Sequence, residues 1–167
     1  MEAKQYKFSL VSIDELGFCY YPEEAFIDKG RVHSSFSITF MINYDWNIEK
    51  DLIGIVLDVR FTTHDKGKEV LRFKSRCNFI VEGLDNYIVI RDPQNDFDMD
   101  NTLETTLMSI SISTTRGMLF ERTRGTVIHP HIIPLMDPKL HLLSELLKQP
   151  SSEQSQEKSE AKSISKG

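Results

Sequence analysis

Strict alternation of apolar and polar residues over long runs constrains this chain most. Phe36, Ile38, Phe40, Ile42 and Tyr44 stand at every second position, separated by Ser37, Thr39 and Asn43. Ile53, Ile55, Leu57, Val59 and Phe61 repeat the pattern against Asp58, Arg60 and Thr62. Leu71, Phe73, Cys77, Phe79 and Val81 repeat it against Arg72, Lys74, Arg76 and Asn78, and Tyr6, Phe8 and Leu10 open the chain in the same way. Successive strand side chains face opposite sides of a sheet, so a period of two describes strands buried on one face only. Such half-covered sheets are antiparallel as a rule, because parallel sheets are covered on both faces and read as continuous apolar runs. His64, Asp65, Lys66, Gly67 and Lys68 have the chemistry of a hairpin loop between the last two runs.

The periodicity then changes. Leu103, Leu107, Ile110, Thr114 and Met118 recur at helical spacing, and Asn101-Thr102-Leu103-Glu104 has the form of a capping box. Met108, Ile110 and Ile112 also alternate within residues 103–116, and the segment is rich in Ser and Thr, so a strand competes. Cap chemistry and length favour the helix. Residues 91–100 are acidic, contain Pro93, and predict a turn or loop before it. A Pro-bracketed apolar stretch, 129–138, leads to a short C-terminal helix. Beyond it, residues 149–167 are Ser, Gln, Glu and Lys with almost no apolar side chain, the composition of a disordered tail. The expected organisation is one folded domain, 1–148, and a tail, 149–167, with an α+β fold: a four-stranded antiparallel sheet, one long helix and a short C-terminal helix.

Composition narrows the function. A chain of 167 residues with 40% apolar content suits one core. The net charge is −5 and the basic residues are scattered, which argues against a nucleic-acid surface. The two cysteines, Cys19 and Cys77, lack metal spacing and fit buried thiols in a reducing compartment. With no apolar leader and no membrane-length apolar run, the expected location is cytoplasmic.

No catalytic apparatus stands out. Asp96, Asp98 and Asp100 begin like a calcium loop, but Asn101 replaces its glycine and Leu107 its last carboxylate. His129 and His131 flank Pro130 without a third ligand. Neither a nucleophile elbow nor a phosphate-binding glycine loop is present. The reading is therefore a non-enzyme without metal or cofactor. What exceeds ordinary need is the aromatic content of the strands, and aromatic surface left over from a core marks a binding site.

Three stretches resemble the bacterial export chaperone SecB. Val11-Ser12-Ile13-Asp14-Glu15-Leu16-Gly17-Phe18 is similar to that family's first strand. Phe79-Ile80-Val81-Glu82-Gly83 is similar to the segment after its fourth strand. Residues 110–117, ending Thr115-Arg116-Gly117, resemble the end of its long helix, and a Pro-bracketed run with Ile133, Pro134 and Leu135 follows in both. The resemblance spans residues 6–147. It implies a four-stranded sheet with a long helix, assembled as a homotetramer (a dimer of dimers), and ATP-independent holding of unfolded client polypeptides in apolar grooves. Phe18 and Phe79 are implied as client-binding residues by their motifs; Tyr20, Tyr44, Trp46, Met118, Ile133 and Leu135 join them as candidate aromatic and apolar groove positions. Glu15 keeps a charge through which that family contacts the SecA motor, whereas Cys19 and Arg72 stand at two positions that are acidic there. The competing class is a small β-rich module that binds one specific ligand or partner, including a toxin–antitoxin client.

Overall fold

The computed structural model describes residues 5–28, 31–33, 35–92, 96–131 and 133. Leu135, the expected C-terminal helix and the tail 149–167 lie outside the described residues. In chain order the elements are β1 (Phe8–Tyr20), a 3-10 turn (Pro22–Ala25), β2 (Phe26–Asp28), β3 (Arg31–Val32), β4 (Phe36–Asn47), β5 (Leu52–Thr63), β6 (Glu69–Val81), β7 (Ile88–Asp92), β8 (Asp96–Met99) and α1 (Asn101–Arg122). The fold is α+β. Its main sheet is antiparallel with four strands in the order β1-β6-β5-β4, and one long helix follows it in the chain.

β4, β5 and β6 form consecutive hairpins, while β1 reaches its place beside β6 through the long connection 21–35, which carries the small β2–β3 ladder. That is a Greek-key order. Gly67 has φ +61, a left-handed conformation that favours glycine in the β5–β6 turn. The alternation assigns sides as the sequence suggests. Ile53, Ile55, Leu57, Val59 and Phe61 of β5 and Leu71, Phe73, Cys77, Phe79 and Val81 of β6 are buried beneath α1.

Part of the expected loop 91–100 is strand instead: β7 and β8 pair antiparallel, with Ile90 opposite Phe97 and Val89 opposite Asp98. Phe97 packs on Tyr44 and Trp46 of β4, at ring separations of 5.2 and 4.5 Å. Tertiary aromatic packing therefore orders a segment whose acidic composition reads as irregular.

Residues 103–116 are helical, and the tertiary setting explains the ambiguous pattern. Ser111 and Thr115 are buried at the middle of α1, where small side chains let it lie close to the sheet. Their hydroxyls donate to the carbonyls of Leu107 and Ser111 at 2.9 and 2.8 Å, and Thr115 Oγ1 meets Ser75 Oγ of β6 at 2.8 Å. Ser and Thr are thus the means of close approach here, and their polar groups are satisfied internally. The cap falls one residue earlier than the sequence suggests. Asp100, not Asn101, accepts from the backbone N–H groups of Thr102 and Leu103. Glu104 does not reach back to the cap; its carboxylate accepts from Tyr44 Oη at 2.9 Å.

Only one of the two thiols is buried. Cys77 lies in the core, where burial raises its pKa, but Cys19 is exposed on edge strand β1. Among the described residues, no helix is long and apolar enough to cross a membrane.

Candidate functional site

α1 crosses the sheet at a slant, and that slant shapes the accessible surface. Glu104 and Arg122 are five full turns apart at 3.6 residues per turn, so they project from the same line along the helix. Glu104 meets Tyr44 of β4 at one end, and Arg122 Nε donates to Glu15 of β1 at 2.7 Å at the other. The buried side of the helix turns accordingly. Leu103 and Leu107 are buried in the first half, Ile112 and Leu119 in the second. A helix laid from one edge of a sheet to the other leaves two corners of the inner face uncovered by itself.

The first corner lies along β1. Its registered partners put Leu10, Ile13, Glu15, Phe18 and Tyr20 on the helix side, opposite Phe79, Cys77, Ser75, Phe73 and Leu71. Leu10 is 40% exposed and Ile13 45% exposed. Ile110 and Met118 of α1 are half-buried against the two ends of the core. Near the end of the helix this side opens into a cavity of about 570 Å³ lined by Glu15, Gly117, Met118, Glu121 and Arg122. β1 is also a sheet edge, to whose outer side no described strand pairs. Two register shifts, between Leu10 and Ser12 and between Glu15 and Gly17, place Val11 and Leu16 outside the alternation, and both are exposed.

The second corner lies along the first half of β4 and is filled. Ile128 and Ile133, from the segment after α1, are buried with Phe36, Val59, Phe61 and Phe73, while Ile38 and Phe40 are partly covered. His131 meets the Phe36 ring edge-on at 4.8 Å, and His129 lies 4.3 Å from Phe120.

The sequence-derived positions divide among these regions. Phe18, Tyr20 and Met118 gather around one end of the core, with Phe18 set edge-on to Phe73 at 6.3 Å. Tyr44 and Trp46 lie at the diagonally opposite end, beneath the β7–β8 hairpin. The seven described positions do not form one continuous groove. Phe79 is 0% exposed and Ile133 is buried, so both support the surface from beneath and offer none themselves. Leu135 lies outside the described residues. Leu10, Val11, Ile13 and Leu16 are accessible apolar residues of β1 that the aromatic criterion passed over. Their signal was present as four aliphatic residues that break the period of two within residues 10–16, as expected for a bulged edge strand.

Electrostatics separate the two faces of the sheet. Burial raises the Glu104 carboxyl above the usual glutamate range, opposed by the hydrogen bond from Tyr44, and burial beside that carboxylate raises the Tyr44 phenol. On the face away from α1, Asp58 is 2% exposed because Arg72 and Arg60 lie over it. Hydrogen bonds from Arg72 lead in holding its carboxyl below the usual range. Cys19 stands opposite Arg72 on that outer face, whereas Glu15 faces the helix and is engaged by Arg122. Glu15 and the pair Cys19 and Arg72 therefore do not share a surface. Among the described residues no group of three or more His, Cys, Asp or Glu side chains is placed to hold a metal.

No protein-family model and no curated protein matches the chain. The structure is similar, at a TM-score of 0.40 and 11% identity over 79% of this chain and 100% of the other, to a solved protein of unknown function from Streptococcus agalactiae. A likeness that distant carries no argument about fold or activity.

Proposed function

We propose that this protein is an ATP-independent holdase that binds extended apolar segments of unfolded client polypeptides. The observation that carries the reading is the β1 corner, where exposed aliphatic side chains run beside a strand edge with no partner among the described residues. Burial of client side chains there is non-directional and tolerates many sequences. Strand addition at the edge supplies backbone hydrogen bonds that no client sequence alters. Phe18, Tyr20 and Met118 continue this surface at one end, and Tyr44 and Trp46 form a second aromatic patch at the other. The SecB resemblance, carried in part by the same residues 11–18, implies the same activity.

The open edge also supports a homotetramer, since a bare apolar edge strand is normally managed by pairing or cover. Pairing of β1 with a second copy would set two such corners side by side. Light scattering that returns a monomer at micromolar concentration would sink the assembly. The expected location is the cytoplasm, among newly made chains. Glu15, bound by Arg122, is the remaining candidate contact for a SecA-type motor.

One observation favours a second reading. Among the described residues only one of the two corners is open, which suits a single dedicated partner, a toxin–antitoxin client included. Aggregation assays separate the two. A holdase slows light scattering by several unrelated unfolded proteins without added nucleotide; failure on all of them removes the holdase reading and leaves the dedicated binder.

A further inference from the structure

The face of the sheet away from α1 carries charges that neither corner uses. Arg60 of β5 lies directly opposite Arg72 of β6, and Lys74, two residues further along β6, lies opposite Asp58. Alternate strand positions share a face, so three cations crowd around one carboxylate, and like charges directly opposite repel. Asp58 offsets that repulsion. Arg72 Nε donates to its Oδ1 at 3.0 Å, while Arg60 Nε and Nη2 reach its two oxygens at 3.4 and 3.3 Å. The carboxylate is 2% exposed, yet the side chains of Arg60 and Arg72 remain 33% and 42% exposed above it. One buried acid therefore fixes two accessible guanidinium groups. Among the described residues no carboxylate pairs with Lys74, and no partner meets Nη1 of either arginine. The other acids of this face are engaged or set apart: Asp45 pairs with Arg76, Asp14 accepts from Asn78 and Ser12, and Glu69 stands at the start of β6 opposite Thr62. Beside the cations, Met41 lies opposite Asp58 on β4 and is 49% exposed.

We propose that the cationic patch of Arg60, Arg72 and Lys74 is a docking surface for an extended acidic segment of a partner protein. Its geometry selects that partner. Arg72 and Lys74 hold alternate positions of one strand, about 7 Å apart, which is the spacing of carboxylates at alternate positions of an extended chain. Because Asp58 holds the guanidinium groups before binding, little side-chain freedom is lost when a carboxylate arrives. Met41 adds an apolar contact beside the charges. Three cations on a chain of net charge −5 are too few for the run of phosphate contacts on which nucleic-acid binding rests. The patch lies on the opposite face of the sheet from the β1 corner, so it stands whether or not the holdase reading does.

Fluorescence anisotropy on the full chain tests it, with a dye-labelled peptide of alternating Glu and Ser as probe at low salt. The wild type binds this peptide and not its Gln-for-Glu counterpart, and added salt weakens the complex. Lys74→Glu loses affinity several-fold or more, and Arg72→Gln, which leaves Arg60 on Asp58, loses it to a smaller extent. Lys50→Glu makes the same change of net charge at an exposed lysine in the β4–β5 turn and binds as the wild type does. Circular dichroism confirms that each variant is folded; should Lys74→Glu fail to fold, Lys74→Gln against Lys50→Gln carries the comparison. No binding by the wild type, equal binding of the Gln peptide, or equal losses at positions 74 and 50 overturns the proposal. Tighter binding of a single-stranded oligonucleotide of the same charge than of the Glu peptide also overturns it, since the patch would then be a phosphate surface.

Discussion

The two corners of the inner face begin from the same geometry and end differently. Each is a triangle between the slanted helix and an edge strand, and each presents apolar side chains from that strand. Along β4 the chain after α1 folds back and buries them; along β1 Leu10 and Ile13 stay accessible. The difference teaches that exposure at β1 is not a general failure of a small core to cover itself. The same chain closes one corner with a few residues and leaves the other open, beside the strand whose outer edge has no described partner.

The sharpest way to break this comparison is a matched pair of substitutions. Ile128→Ser removes a wholly buried side chain and leaves a hydroxyl in a cavity, a change that costs about 2–5 kcal/mol. The melting temperature should fall by on the order of 10 °C. Ile13→Ser alters a side chain that is nearly half exposed and should move the melting temperature little while, on the proposed holdase reading, weakening client binding. Equal losses of stability at the two positions, by calorimetry, would mean that the β1 corner is covered in solution and that the contrast is false.

The anchors of the slant give the next effect in size. Tyr44→Phe deletes the hydroxyl that donates to Glu104 and leaves a buried carboxylate short of a partner, at about 1–3 kcal/mol. Arg122→Gln breaks an ion pair whose Arg122 side chain is 55% exposed, worth less than about 1 kcal/mol. Denaturant midpoints should therefore rank Tyr44→Phe well below Arg122→Gln. The opposite order would place the fixed end of the helix at β1.

Much of this architecture was legible in the sequence, and the exceptions share a cause. β4, β5 and β6 follow their alternation because each buries one face against α1, so the period of two reports burial directly. The pattern fails where another element decides the outcome. Phe97 is unremarkable in an acidic stretch until the Tyr44 and Trp46 rings order it into a hairpin. Glu104 matches a capping box until the Tyr44 hydroxyl takes its carboxylate. The site was less legible than the fold, because aromatic content cannot distinguish Phe79, wholly buried, from Tyr44 at the rim. Leu10, Val11, Ile13 and Leu16 were hidden by the irregularity that marks a bulged edge.

A smaller effect concerns pH at the Tyr44–Glu104 anchor. Glu104 is raised in the folded protein above its ordinary value, chiefly by burial. The folded state thus holds this proton more tightly than the unfolded chain does. Its stabilising contribution is fully present below the ordinary glutamate range and is lost as pH rises through the folded value. Glu104→Gln keeps an acceptor for Tyr44 and removes the titration. Wild type minus variant stability should decline from about pH 4 toward neutrality, where the charged form is penalised most, and should be flat above that range. A difference that stays constant across this window, in urea titrations at each pH, would show that the folded protein does not hold this proton more tightly than the unfolded chain.

The smallest expected effect tests whether the open corner is open at all. Residues 151–167 are the stretch of the chain with the least apolar content, mostly Ser, Glu, Lys and Gln. Covering Leu10 and Ile13 requires apolar side chains, and this stretch offers only Ala161 and Ile164, too few to offset the entropy of ordering it. Truncation after Pro150 should leave the melting temperature, the oligomer mass and the binding of an apolar dye unchanged within error. A rise in dye binding on truncation would mean that the tail rests on the β1 corner, and the contrast between the corners would then be one of degree. A fall in melting temperature would mean that it docks elsewhere on the folded body. With neither change, the β1 corner is free of the tail and remains available to a partner.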